Sequence, residues 1–416
     1  MAPTLPPPRL RAADKQTPLA DLRVVDFSHF IAGPYATLIL ADFGAEVIKI
    51  ESAGEGDAFR NYPPMLGSEG VPYLWVNRNK QSVALDLKTT EGREIAQRLI
   101  DEADIVVENF STGVMKRLGL DYDTVAKTNP ELIYCSISAY GRQGPYARRS
   151  GFDPIVQAES GFISMNGDPA QQPGYRAGPS IMGISTAMMS ANAILAALAA
   201  RSRTGKGQYI ETTMIETAVN MLGNFSLAYL ATGTSPTRFG NIQATASPVG
   251  AFETADGPIY LACANDRTFQ RFARDVLEDP QLADDPDYAD SRKRRDNQKK
   301  LIALISERLK QGKRALWLAR MHEVGVPGGA IRTVGEAMDA PEIAELGLLS
   351  AIPHPTLGTV PNVGLPVHFS ETPLADPVAA PLLGADTSDV LARVLGYTPE
   401  QIRLAEAGGA FGRPAA

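Results

Sequence analysis

Ala32-Gly33-Pro34 follows the run LRVVDFSHFI, at the point where a β-rich segment gives way to a helical one. A backbone that small lets a nucleotide come close, and the unpaired N–H groups that open a helix can face a phosphate. Cations able to pair with phosphate stand near loops further along, at Lys88, Arg117, Arg142, Arg148 and Arg149. Each reads equally well as a solvated surface charge. His29 sits just past a strand end, where open α/β sheets bind ligands; a core or surface histidine is the competing reading. Asp153 follows a Gly–aromatic pair, a position from which an Asp commonly caps the next helix. The remaining histidines, His322, His354 and His368, show no metal-ligand spacing, and no metal site is expected.

These groups need a scaffold, and short β-rich runs alternate with helical patterns from Asp21 onward. LRVVDF (22–27), EVIKIE (46–51), SVALDL (82–87), DIVVEN (104–109) and LIYCSI (132–137) read as strands. The segment 89–103 between two of them carries Ile95, Leu99 and Ile100 on one helical stripe. Such alternation is the pattern of βαβ units and a mainly parallel sheet, hence a doubly wound, Rossmann-like α/β fold. A long Ala- and Met-rich helix is expected over about 185–200, stopped by Thr204-Gly205-Lys206-Gly207. Past residue 225 the chain turns Pro-, Gly- and Thr-rich before a strand pair around Asp256-Gly257. We expect a large domain over 20–225, a smaller α/β domain over 226–330, and a return to the large domain over 331–416. SRKRRDNQKK reads as a solvated segment followed by a helix at LIALISERLK.

Composition bounds the function. Of 416 residues, 44% are hydrophobic and 21% charged, which suits a globular protein with a large core, two domains being the simplest division. A net charge of -7 leaves no broad basic surface and argues against nucleic acid or an anionic membrane as partner. Cys135 and Cys263 each sit in an apolar run and read as buried free thiols, which fits the cytoplasm. No 18-residue stretch is uninterruptedly apolar, and residues 1–18 read as a leader without the apolar core of a signal peptide. There are no repeats at a fixed period.

Several segments, read in order over about 20–400, resemble class III CoA-transferases, the family of formyl-CoA:oxalate and carnitine CoA-transferases and of α-methylacyl-CoA racemase. They are LRVVDFSHFIAGPYATLILADFGAEVIKIE with Gly54-Glu55-Gly56-Asp57, NRNKQSVALDLKTTEGRE, ADIVVENFSTGVMKRLGLDY, SAYGRQGPYARRSGFDPIVQAESG, RTGKGQYIETTMIETA and PLLGADTSDVL. The resemblance implies coenzyme A or acyl-CoA as substrate, with no prosthetic group. It assigns CoA contacts to His29, Ile31, Ala32, Leu85, Asp86, Leu87, Lys88, Asn109, Phe110, Arg117 and Arg149. It also implies two chains interlocked as linked rings.

The family's transfer chemistry uses an aspartate that attacks the thioester and later carries CoA as an enzyme-bound thioester. Counting back from Thr204-Gly205-Lys206-Gly207-Gln208 puts Gly183 at that position. Glycine has no group to attack with. The chain could therefore be a CoA-ester-binding homologue without chemistry, the non-catalytic subunit beside a homologous partner that keeps the aspartate, or an inactivated form, or Asp153 could substitute. The racemase branch needs a histidine where Phe152 stands, so racemisation is the poorest expectation. RFGNIQATASPVGAF lacks the glycine-rich loop of the oxalate enzymes. The expected function is CoA transfer between an acyl-CoA and a free carboxylic acid; the alternative is a non-catalytic CoA-ester-binding protein or subunit.

Overall fold

A computed structural model describes residues 4–243 and 245–412. The chain forms two compact units. One comprises 1–162, 177–226 and 342–416, and the other 163–176 with 227–341. The smaller unit thus takes in 163–176 and ends at Pro341, a division by packing that local sequence character does not show.

The larger unit is built on six strands: β1 (Arg23–Asp26), β2 (Glu46–Ser52), β3 (Lys80–Leu85), β4 (Ile105–Glu108), β5 (Ile133–Ser138) and β6 (Gln208–Thr213). All adjacent pairs are parallel, in the order β3-β2-β1-β4-β5-β6. This is the doubly wound order, with its reversal between β1 and β4. Val24 pairs with Val47 and Ile105, and Val25 with Ile48 and Val106. Successive side chains point to opposite faces, and both faces are apolar because both are covered. Val25, Ile48, Val83 and Val106 pack on Ile95 and Leu99 of α2 (Thr90–Asp101). Val24, Val47, Ile105 and Val107 pack with Leu40 of α1 (Ala32–Asp42) and with Ile194 and Ala197 of a long later helix.

β6 was not foreseen. QYIETT sits at the sheet edge, where polar residues are tolerated; Tyr209, Ile210, Thr212 and Thr213 carry β preference, but Ile210 is its one aliphatic residue and no apolar run marks the strand. β3 ends at Leu85, so Asp86 and Leu87 lie beyond the strand expected over 82–87.

Four more helices reach the functional region: α3 (Val114–Leu118), α4 (Asp153–Glu159), α5 (Ile181–Thr204) and α6 (Met214–Met221). α5 runs a full turn further at its start than the sequence pattern suggested and ends at Gly205, whose φ of 65° is the left-handed cap that favours glycine. It is long and apolar enough to cross a membrane by length and composition. Here its Thr186, Ala187, Ser190, Ala191 and Ile194 face are buried within the unit. The C-terminal segment returns through α7 (Thr387–Leu395), whose Val390 and Leu391 join the α2 face. Asp386 and Thr387 accept the backbone N–H groups of Ser82 and Ala84 at the β3 edge.

The smaller unit has a three-stranded antiparallel sheet in which Pro258–Ala262 lies between Val249–Glu253 and Gly328–Ala330. The turn between its first two strands falls at Asp256-Gly257, as the sequence suggested. Phe252, Ile259, Phe269, Phe272, Ile305 and Trp317 fill its core. SRKRRDNQKK is not uniformly solvated. Arg294 is fully buried, donating to the carbonyls of Ser247 and Tyr288 and to Asp266 Oδ1 at 2.7 Å.

Candidate functional site

The chain leaves the carboxyl ends of β1 and β4 at the point where the winding reverses. Side chain and backbone staple the two exits together. His29 N–H donates to Asn109 Oδ1 at 2.9 Å, and Asn109 Nδ2 donates back to the His29 carbonyl at 2.8 Å. Phe30 follows in the left-handed region at φ 63°, a strained conformation for a residue with a Cβ. The strain turns its ring toward Phe59, Tyr62 and Phe152, with centroids 5.4, 6.4 and 5.9 Å away, each edge-on. Gly33 opens α1 for a different reason from ligand approach, since a Cβ there would sit 2.1 Å from Ser28 Cβ. The glycine lets α1 close down on the end of β1.

Beneath these exits lies a buried ionic floor. Asp26 and Lys80 are fully buried and 3.1 Å apart, with Thr37 Oγ1 on the same carboxylate oxygen at 2.6 Å. Burial opposes ionisation of Asp26, but Lys80, Lys49, Ser28 and Thr37 outweigh it and hold the carboxyl to about 2. Burial draws Lys80 down to about 8 against the pull of Asp26. Lys49 donates to the Ser28 carbonyl at 2.7 Å and pairs with Asp57 at 3.0 Å. Glu51, also resisted by burial, is held to about 2 chiefly by Arg60, with Lys49 and Ser82. This network fixes the backbone from Asp26 to His29. Burial also lowers the pKa of His29, leaving a neutral imidazole 5.5 Å from the Phe110 ring.

A cleft of about 1330 Å³ opens above the floor. His29, Ile31, Ala32, Asn109, Phe110, Arg117, Arg149, Asp153 and Gly183 all line it. Leu85, Asp86, Leu87 and Lys88 do not. They end and follow β3 at the sheet edge, two strands from β1, where Leu85, the last residue of the strand, is buried in the α2-side core and Asp86 N–H donates to the Ala410 carbonyl. Arg142 lines the cleft but is consumed structurally. It donates to Glu108, Ser136 and the carbonyls of Phe110 and Ile137, tying β4 to β5. Arg149 pairs with Glu159 and lies over the Tyr140 ring at 4.9 Å, while Arg117 is exposed on α3.

Asp153 is the one carboxylate among the described cleft-lining residues. It begins α4, yet its side chain does not cap that helix. Oδ2 accepts from the backbone N–H groups of Met182 at 2.7 Å and Gly183 at 3.0 Å, in the first turn of α5. Oδ1 accepts from Gln157, which is itself buried and held by Ala177 N–H. A Cβ built on Gly183 would lie 3.4 Å from Ile31 Cγ2 and 4.0 Å from Asp153 Oδ2, both ordinary contact distances. Asn109 as a staple, the Asp153 cap and the aromatic group around Phe30 are what sequence reasoning did not supply; the positive φ at Phe30 leaves no local sequence signal.

The parallel six-stranded fold agrees with the comparisons to known proteins. The family model for CoA-transferase family III matches residues 19–387. The human succinyl-CoA:glutarate CoA-transferase is 34% identical over 390 residues, covering 92% of this chain and 88% of that protein. The succinate–glutarate CoA-transferase of Agrobacterium fabrum is 37% identical over 389 residues, covering 92% and 96%. A crystal structure of a CAIB/BAIF family protein from Brucella suis superposes with a TM-score of 0.84 at 36% identity, covering 91% of this chain and all of that one. With CoA thioesters as the substrates of such enzymes and no prosthetic group indicated, the chain belongs to CoA-transferase family III.

Proposed function

We propose that the cleft at the β1–β4 switch point binds a CoA thioester for exchange with a free carboxylic acid, and that this chain alone supplies the binding half of that chemistry. The observation that carries the reading is Gly183, a bare backbone position on the cleft wall whose nearest carboxylate, Asp153, already has both oxygens hydrogen-bonded. In carboxylate-mediated transfer, an enzyme carboxylate oxygen attacks the thioester carbonyl and CoA thiolate leaves, forming a mixed anhydride. The thiolate then attacks the enzyme carbonyl, releasing the acyl group as a carboxylate and leaving an enzyme–CoA thioester for the acceptor acid to repeat the sequence. Glycine can form neither intermediate.

The exposed Arg117 and Arg148 suit phosphates at the cleft mouth, and neutral His29 with Ile31 and Ala32 suits an uncharged pantetheine or adenine wall. Leu85 to Lys88 remain candidates for an outlying part of CoA. Asp153 as a substitute nucleophile is the weaker reading, because attack would require it to abandon the first turn of α5. The function assigned is thus CoA transfer on a framework whose nucleophile must come from elsewhere. Only a homologous subunit that keeps the aspartate can supply it; a homodimer of this chain, with Gly183 in both copies, would bind the thioester without exchanging it. The two buried free thiols support a cytoplasmic setting.

A thioester-exchange screen by mass spectrometry, over a panel of acyl-CoAs and acids, tests the reading. Binding without exchange is expected from the chain alone. Robust exchange that survives Asp153→Asn would show an unrecognised nucleophile and overturn the assignment of position 183.

A further inference from the structure

The cleft is chemically two-sided. Lys116, Arg117, Arg148 and Arg149 stand on the wall drawn from 109–153, whereas the wall drawn from 59–75 presents Phe59, Tyr62, Val71, Pro72 and Trp75 and no charge. Cations do occur in the sequence around that second wall, but they are buried and matched. Arg60 pairs with Glu51 and Glu69, Arg78 with Asp42, Lys49 with Asp57 and Lys80 with Asp26, and none of the four lines the cleft. Gly183 lines the same cleft; a Cβ there would lie 3.4 Å from Ile31 Cγ2 at the β1 exit, and its N–H donates to Asp153, the residue after Phe152. From there Phe30 leads to Phe59 and Tyr62 through edge-on ring contacts. An acyl group leaving the reacting position toward this wall meets ring edges and aliphatic carbon. A second carboxylate placed there would lose its water without gaining a cation, which burial penalises heavily. An aryl ring would find partners already set in the edge-to-face geometry that aromatic groups favour.

We infer that the acyl half of the cleft takes an apolar acyl group, an aryl acyl group best, in place of the dicarboxylic acids named for the human and Agrobacterium relatives. The inference rests on the reading that the cleft holds a CoA thioester. Tyr62 is its specificity-determining residue, placed at the exposed end of the ring group and 52% accessible, so that it tolerates substitution.

Calorimetric titration of the full chain with free CoA, phenylacetyl-CoA and succinyl-CoA, the thioester content verified afterwards, tests it. Phenylacetyl-CoA should bind about tenfold more tightly than free CoA, the return on one or two good ring contacts, and succinyl-CoA no more tightly than free CoA. Tyr62→Arg should invert the order of the two thioesters, and Phe152→Ala, also at an exposed ring, should shrink the phenylacetyl preference by several-fold. Succinyl-CoA binding more tightly than phenylacetyl-CoA, or equal binding of all three ligands, overturns the inference while leaving CoA binding in place. Failure of free CoA and both thioesters to bind overturns the CoA reading itself, and this inference with it.

Discussion

Asp153 Oδ2 and the backbone of Gly183 are joined by a 3.0 Å hydrogen bond, with Met182 N–H on the same oxygen at 2.7 Å. The carboxylate of one helix thus closes the start of another, 30 residues on, and leaves the space over Gly183 open. That arrangement fixes the first turn of α5 against α4.

Gly183→Asp should therefore be accommodated and should install transfer. The new Cβ would make only ordinary contacts with Ile31 and Asp153. Replacing a helical glycine contributes roughly 0.5–1 kcal/mol of stability, and an acid in the first helical turn is favoured by the dipole. Repulsion from Asp153 opposes both, so the melting temperature should change by no more than a few degrees, from about 1 kcal/mol net. Thioester exchange should rise by orders of magnitude over the glycine form. An enzyme–CoA thioester released by hydroxylamine would identify the carboxylate, and Gly183→Asn should fold equally well and stay silent.

Asp153→Ala should destabilise the large unit by about 1–3 kcal/mol, because two α5 N–H groups lose a charged acceptor. Asp153→Asn, which keeps one acceptor oxygen, should cost less. Urea unfolding midpoints at constant m-value check the order, and a variant as stable as the parent would show that the α5 cap carries no weight.

Arg117→Ala should weaken CoA binding by about 1–3 kcal/mol, the scale of a charge-assisted hydrogen bond, without altering stability. The loss should shrink as salt is raised, since the guanidinium is exposed and screened. Isothermal titration at low and high ionic strength separates this from a change in shape, which salt would not affect. Asn109→Ala is the contrasting case. It unfastens His29 from β4, so its loss of CoA affinity should persist at high salt.

Acid should unfold the large unit through its ionic floor. Asp26 and Glu51 are held to about 2 in the folded protein, below ordinary carboxylate values near 4. The unfolded chain therefore binds more protons between pH about 5 and about 2. The stability these groups contribute is fully present above pH about 5 and is lost as pH falls through that window. Chemical unfolding at pH 7, 5, 4 and 3 should show the decline. Asp26→Asn should flatten it while lowering stability at pH 7 by about 3–5 kcal/mol, because Lys80 is left buried and unpaired.

Five of the six strands of the large sheet, the helix over 90–101 and the Gly205 stop were legible in the sequence, because each is written locally in apolar spacing, β-branched content or a single glycine. β6 was not, since an edge strand needs little apolar character. The absence of a side chain at 183 is likewise a statement that sequence makes unaided. What that absence leaves behind is tertiary. Whether Asp153 is free or engaged depends on N–H groups 29 and 30 residues away. Arg142 looks like an available cation until β4 and β5 lie side by side and Glu108 claims it. Gly33 is explained by Ser28, on the other side of a turn. Leu85 to Lys88 share a chain direction with the residues after β1 and β4, but the strand order puts them two strands from β1 and three from β4, about 10 and about 15 Å away at the sheet edge. Local sequence sets which segments are strands and which helices. Which strand ends become neighbours is set by the crossovers and the faces they must bury, and so only the folded chain decides which of the candidate side chains share one cleft.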